Sequence, residues 1–300
     1  MKKIVITSFI MPHELDDLER VLVDLNKTSK YVDGNNYEFY VSFSVSDYLF
    51  DWENSKIDKQ FFIDRFNSLK SLTDWAGKST FQIRDEIMGA FQCKRYAHLE
   101  CKDATHFIWL DTDICFDDKI LYYMEASIDR LKETDTKTDK YFITPEIVKY
   151  WDTTWDCLVN ENYINKELDY CKTNNPFAES GQVGDVELLT VLNNVPGQPY
   201  MKFGGGWFAL ISKELMKTIP FPENYGHYGL DDTYLMWGAN ILQDPTIKQF
   251  KLKNIVVCEN YFDRITTYKG QIQFIDKREE YKKYNEELFY IGLQNILNNK

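Results

Sequence analysis

The sequence predicts an α/β fold, a mixed sheet with helices on its faces built as a single large domain. Three observations predict it. Short apolar runs rich in β-branched and aromatic residues, such as "YEFYVSFSVS" at 37–46, read as buried strands. Intervening segments carry apolar residues at helical spacing, and the two kinds alternate through the first half of the chain, as in a sheet covered by helices. With 300 residues, 44% of them hydrophobic, the chain can bury a sizeable core.

Lys3 to Phe9 is the first expected strand. Its apolar run is too short to span a membrane, acidic residues follow it, and no small-residue cleavage site appears, so it reads as a buried strand rather than a leader. Residues 13–29 place Leu15, Leu18, Val21, Leu22 and Leu25 on one helical face. After strand 37–46 and a polar loop at 51–60, helical patterns run near 60–76 and from Ile83 through Leu99. Strand 106–110 follows, then a helix over 118–133, the solvated loop "KETDTKTDK", and the strand "KYFITPEI", which Pro145 should stop. Residues 150–200 are irregular, with room for one short helix. "YMKFGGGWFALIS" reads as a strand broken by three glycines, with helices at 212–218 and Thr233–Leu242, a late strand at 250–257, and a charged, Tyr-rich helix beyond 270. The expected division is a main domain over 1–265 and a helical extension over 266–300.

A net charge of −12 argues against a nucleic-acid partner, which needs a basic face. A phosphate-bearing small molecule remains compatible if a metal ion supplies positive charge locally. The six cysteines are scattered with no CxxC pair, so neither a zinc site nor a disulfide framework is expected, and the protein is placed in a cytoplasm with no membrane span. The aromatic content of 16% suits a carbohydrate site, though a core accounts for most of it.

Three stretches carry chemistry. "HFIWLDTDICF" runs an apolar strand into Asp111 and Asp113, which would share a face if the strand continued and would repel unless something positive lay between them. A divalent cation on phosphates meets that need, while a plain strand end with an Asp-capped turn is the alternative. Ligands in such sheets bind beyond the carboxyl ends of the strands, which favours the metal. Gly204, Gly205 and Gly206, between Phe203 and Trp207, weaken a strand and so point to a bulge or to a ligand approaching the backbone. "GHYGLDD" at 226–232 places Asp231 and Asp232 before an apolar helix, either as first-turn charges or as a group that grips a sugar and aims a base at it.

The stretch "FGGGWFALISKELMKTIPFPENYGHYGLDDTYLMWGA" resembles the catalytic segment of the β-1,4-galactosyltransferase group, and "FIWLDTDICF" is similar to its metal-binding Asp-x-Asp segment. The resemblance is close over about 40 residues and loose over about 150. It implies a GT-A fold, with a Rossmann-like nucleotide-binding mixed sheet, and a metal-dependent, inverting transfer of a hexose of the galactose or N-acetylhexosamine type from a UDP-sugar to a saccharide or glycoconjugate hydroxyl. The implied cofactor is Mn²⁺ or Mg²⁺, held by Asp113 with Asp111 near the metal or the donor ribose. Asp232 would be the base and Asp231 would hold acceptor hydroxyls, beside Tyr228, Gly229 and Trp207. Gly204, Gly205 and Gly206 would line the donor–acceptor junction, and Ser8, Phe9 and Pro12 would meet the nucleotide, with Arg84 and Arg95 making good the missing basic residues there.

The chain departs from the group in places. The late strand lacks the metal-ligating His, leaving Glu259, Asn260 or Asp263 as substitutes; Leu230 replaces a glycine and Asp231 a glutamate. No anchor or stem precedes the domain, as expected of a bacterial or virus-encoded relative. Two other readings stand beside this one. A haloacid-dehalogenase-like phosphatase also ends a strand in Asp-x-Asp, but wants a glycine and a hydroxyl residue where Ile114 and Cys115 stand. A sugar-binding protein with a degenerate transferase site is the other, although binding alone does not require both Asp113 and Asp232.

Overall fold

The computed structural model describes residues 2–47, 50–85, 89–134, 137–148, 184–188, 191–192, 200–201, 207–219, 221–222, 231–242, 244–259 and 278–299. In chain order the elements are β1 (Ile4–Ile10), α1 (Leu15–Thr28), β2 (Tyr37–Ser44), α2 (Lys59–Ser68), β3 (Lys78–Arg84), α3 (Ala90–Glu100), β4 (His106–Leu110), β5 (Ile114–Cys115) and α4 (Ile120–Thr134). Then come β6 (Lys140–Val148), β7 (Val186–Leu188), β8 (Val191–Leu192), β9 (Tyr200–Met201), β10 (Phe208–Ser212), α5 (Lys213–Thr218), α6 (Asp231–Leu242), β11 (Ile247–Glu259) and α7 (Arg278–Asn298).

Among the described residues nine strands form one mixed sheet in the order β3-β2-β1-β4-β10-β6-β11-β5, with β7 also on β11. Strands β1 to β4 are parallel, and β10 runs antiparallel between β4 and β6. The chain winds outward from β1 to β3 and then returns to place β4 on the other side of β1. The order thus reverses between β1 and β4, and ligands of such sheets bind beyond the carboxyl ends of the strands at such a point. Thr7 pairs with Trp109, so Phe9 and Asp111 each lie two residues beyond one matched pair.

Both faces of the sheet are covered. On one, Leu15, Leu18, Val21, Leu22 and Leu25 of α1, each at most 1% exposed, join Ile4, Ile6, Ile108 and the apolar stripe of α4. Losing one such leucine to alanine typically costs about 2–5 kcal/mol. On the other, α3, α5, α6 and α7 pack on Val5, Phe107, Trp109 and Ile211. Phe289, Leu293 and Ile296 of α7 belong to this second core, and Gly292 lets α7 sit against the Tyr234 ring of α6, where a Cβ would come within 2.7 Å of it. Cys93, Cys101, Cys115 and Cys258 are buried thiols outside any disulfide. No helix among the described residues is long and apolar enough to cross a membrane.

The structure corrects several expectations. Residues 78–84 form β3 rather than the approach to a helix at Ile83. As the sheet's outer strand it is only partly buried, with Ile83 37% exposed, so its sequence lacks a strong apolar signal. Pro145 does not stop β6, which runs on to Val148. Instead the pairing with β11 slips there, Thr144 facing Lys251 and Glu146 facing Val256, because proline has no N–H for the ladder. The two-residue β5 is an element that the sequence did not announce. Helix α6 begins at Asp231, so the acidic pair lies in its first turn rather than ahead of it.

Candidate active site

Strand β4 delivers the Asp pair to the carboxyl edge of the sheet. The Asp111 N–H donates to the Trp207 carbonyl at 2.9 Å, which ties the start of the turn to the residue before β10. After Asp113 the chain forms β5 against the end of β11, where Ile114 faces Glu259 and Cys115 faces Cys258. The backbone of Glu259 thus lies across from the residue that follows Asp113. From the α1 side, the Arg20 guanidinium donates to the carbonyls of Thr112 and Ile114, each at 2.7 Å.

From the other side α3 brings a lysine. Lys94 is only 4% exposed, its ammonium lies 4.5 Å from the centre of the Trp109 ring, and it is paired with Asp231 at the head of α6. Burial works to lower the Lys94 pKa, and the carboxylates of Asp231, Asp111 and Asp232 together outweigh it and hold the ammonium above its ordinary value. Burial likewise pushes the Asp111 carboxyl well above the usual carboxylate range; Lys94 opposes this, while Asp113, Asp231 and Asp232 add to it. Three carboxylates therefore face the Lys94 ammonium, with Asp113 beside Asp111, a crowding of acidic groups that a divalent cation would offset. Asp232 Oδ1 accepts from the Thr233 N–H at 2.6 Å and from Thr233 Oγ1 at 3.3 Å.

The structure brings Asp111, Asp231 and Asp232 within electrostatic reach of one lysine, although 120 residues separate Asp111 from Asp231. Helix-start charges alone would account for Asp231 and Asp232. They would not account for a buried lysine that links them to the strand-end Asp111. Buried groups with strongly shifted titration, as at Asp111 here, are candidates for a functional site.

The other expected residues are placed as follows. Ser8 is buried within β1, with an Oγ that has no hydrogen-bond partner, Phe9 packs on the second core, and Pro12 is buried in a 3₁₀ turn. Arg84 closes β3 on the same face as Lys94, donating to Tyr40 Oη at 3.3 Å and stacking 5.1 Å from the Tyr96 ring centre, but three strands away from β4. Arg95 is half-buried on α3. Trp207 is half-buried and meets the site through its carbonyl. Gly204, Gly205, Gly206, Tyr228, Gly229, Asn260 and Asp263 lie outside the described residues, as does the Glu259 side chain. Among the described residues no three His, Cys, Asp or Glu side chains are grouped to hold an ion. His106, at the far end of β4, is held by Tyr141 Oη and Thr105 Oγ1 with its pKa pushed down by burial to about 3, so it belongs to the core. A groove of about 900 Å³ at that end is lined by Lys2, Glu125 and Asp129, but its charges pair with one another and it lies away from the Asp pairs.

Lys94 and Arg20 are the site residues that sequence reasoning did not find. Lys94 did leave a signal: it stands three residues after Phe91 and three before Ala97, on the buried stripe of its helix.

No family model matches the chain, and no curated protein matches it. Among solved structures, HddC from Yersinia pseudotuberculosis aligns over 96% of this chain and 100% of its own with 16% identity and a TM-score of 0.37. A UTP-bound UGPase from Acinetobacter baumannii aligns over 86% of this chain and 87% of its own, with 14% identity and a TM-score of 0.41. The inositol-1-phosphate CTP transferase from T. maritima aligns over 99% and 96%, with 9% identity and a TM-score of 0.39. Likenesses this loose carry nothing about activity.

Proposed function

We propose that the chain is a metal-dependent glycosyltransferase that moves a hexose from a UDP-sugar to a saccharide or glycoconjugate hydroxyl with inversion at the anomeric carbon. The observation that carries this reading is the convergence of strand-end Asp111 and the distant Asp231–Asp232 pair on buried Lys94, at the carboxyl edge of the sheet.

The donor set suits a hard divalent ion. Asp111 and Asp113 offer carboxylate oxygens to Mn²⁺ or Mg²⁺, donor phosphates would share the shell, and Glu259 is the candidate for a further ligand because its backbone faces Ile114. When bound, such an ion offsets the negative charge that builds on a diphosphate leaving group. Asp232 acts on the acceptor side. The bond from the sugar's C1 to the phosphate oxygen breaks with its electron pair going to the diphosphate, a bond from C1 to the acceptor oxygen forms, and the acceptor's proton passes to the Asp232 carboxylate. Asp231 accepts hydrogen bonds from acceptor hydroxyls, and Lys94 fixes the orientation of Asp231 while facing Asp111. Ser8 Oγ and Arg84 are the donor-side groups from the first and third strands.

Titration calorimetry with UDP tests the metal-binding half of this reading. Binding is expected with Mn²⁺ present and is expected to vanish in EDTA and in Asp113→Asn. Equal affinity with and without the metal would overturn it, because the ion is proposed to supply the positive charge that holds a diphosphate beside Asp111 and Asp113.

A further inference from the structure

We propose that Arg20 is a positioning residue for the metal-binding turn: by bracketing Asp113 from the opposite face of the sheet, it sets the affinity of Asp111 and Asp113 for the divalent ion. The inference rests on the reading of those two aspartates as the metal site. Its basis is geometric. The Arg20 guanidinium sends one nitrogen to the Thr112 carbonyl and the other to the Ile114 carbonyl, both at 2.7 Å. Those carbonyls belong to the residues on either side of Asp113. Two bonds from one rigid, planar group therefore fix the peptides around a single carboxylate.

Arg20 is itself held. Asp17 and Asp24, one turn before and one turn after it on α1, lie 3.9 and 3.7 Å from its nitrogens, and its side chain is 11% exposed. The carboxylates keep the fork extended toward the turn rather than folded along the helix. The turn needs such a brace because only one side of it is built into the sheet in length: β4 pairs over five residues with β10 and four with β1, while β5 contributes two residues. A short turn that carries two like charges would otherwise splay them apart. Residues that orient a metal's ligands without touching the metal typically cost about 10- to 100-fold in metal affinity when removed.

The test uses the full chain and Mn²⁺ as probe, read by the electron paramagnetic resonance of the free ion and by melting temperature, with UDP present. Arg20→Met is expected to weaken Mn²⁺ binding by about 10- to 100-fold. Arg20→Lys, which keeps the charge but cannot reach both carbonyls, is expected to fall between Arg20→Met and wild type, and it serves if the methionine variant does not fold. Leu131→Ala, in the core at the far end of α4, is expected to lower the melting temperature and leave Mn²⁺ affinity unchanged. Folded Arg20 variants with wild-type Mn²⁺ affinity would overturn the proposal, and so would a Leu131→Ala protein weakened as much as they are. A wild-type protein that binds no Mn²⁺ would overturn the metal reading itself, and the brace with it.

Discussion

Asp232→Asn should lower sugar transfer by about 10²-fold or more, the usual worth of a positioned general base. Melting temperature and donor binding should stay near wild type. Asparagine keeps an oxygen that can accept from the Thr233 N–H, as Asp232 Oδ1 does at 2.6 Å, so the start of α6 retains its local bond. What it loses is the ability to take a proton. If Asp232 were only a first-turn charge, the same change would cost about 0.3–1 kcal/mol of stability and leave turnover alone. Measuring both melting and transfer in one variant separates the two roles, and near-normal turnover would move the base elsewhere.

Lys94→Met should be the most destabilising single change at the site. It leaves the Asp231 carboxylate, 13% exposed in its side chain, without its Lys94 partner, and it removes the Lys94 ammonium that faces Asp111. Breaking a buried pair by deleting one partner typically costs about 3–5 kcal/mol. For a chain of this size that is a fall in melting temperature on the order of 10 °C. Methionine fills nearly the same volume over the Trp109 ring, so lost packing contributes little. Adding Asp231→Asn should return much of the loss, since the stranded charge is then gone. A Lys94→Met protein that melts like wild type would show that the lysine does not hold Asp111 and the Asp231–Asp232 pair together.

Much of this site can be read in the sequence, because its strongest signals are local. A buried strand that ends in Asp111 and Asp113, and a carboxylate pair at the head of an apolar helix, announce themselves by contrast with their neighbours. The link between them does not. Lys94 reads as one of two adjacent basic residues on α3, and only its place on the stripe with Phe91 and Ala97 marks it as buried. Arg20 reads as a surface group among Asp17 and Asp24, and its real target lies 92 residues away at Thr112. The fold follows the same rule. Fully buried β2 and β4 stand out, as does β1, buried but for Phe9, whereas β3 at the sheet's edge and the strand around Pro145 depend on pairing that no local pattern encodes.

The most direct test of the account is the product of turnover. UDP-hexoses incubated with the protein and Mn²⁺, with and without saccharide acceptors, should yield UDP together with free or transferred sugar. That yield should disappear in EDTA, while p-nitrophenyl phosphate should remain intact. Release of phosphate from p-nitrophenyl phosphate, lost in Asp111→Asn and accompanied by an aspartyl-phosphate, would contradict the account and make the strand-end pair a phosphatase nucleophile.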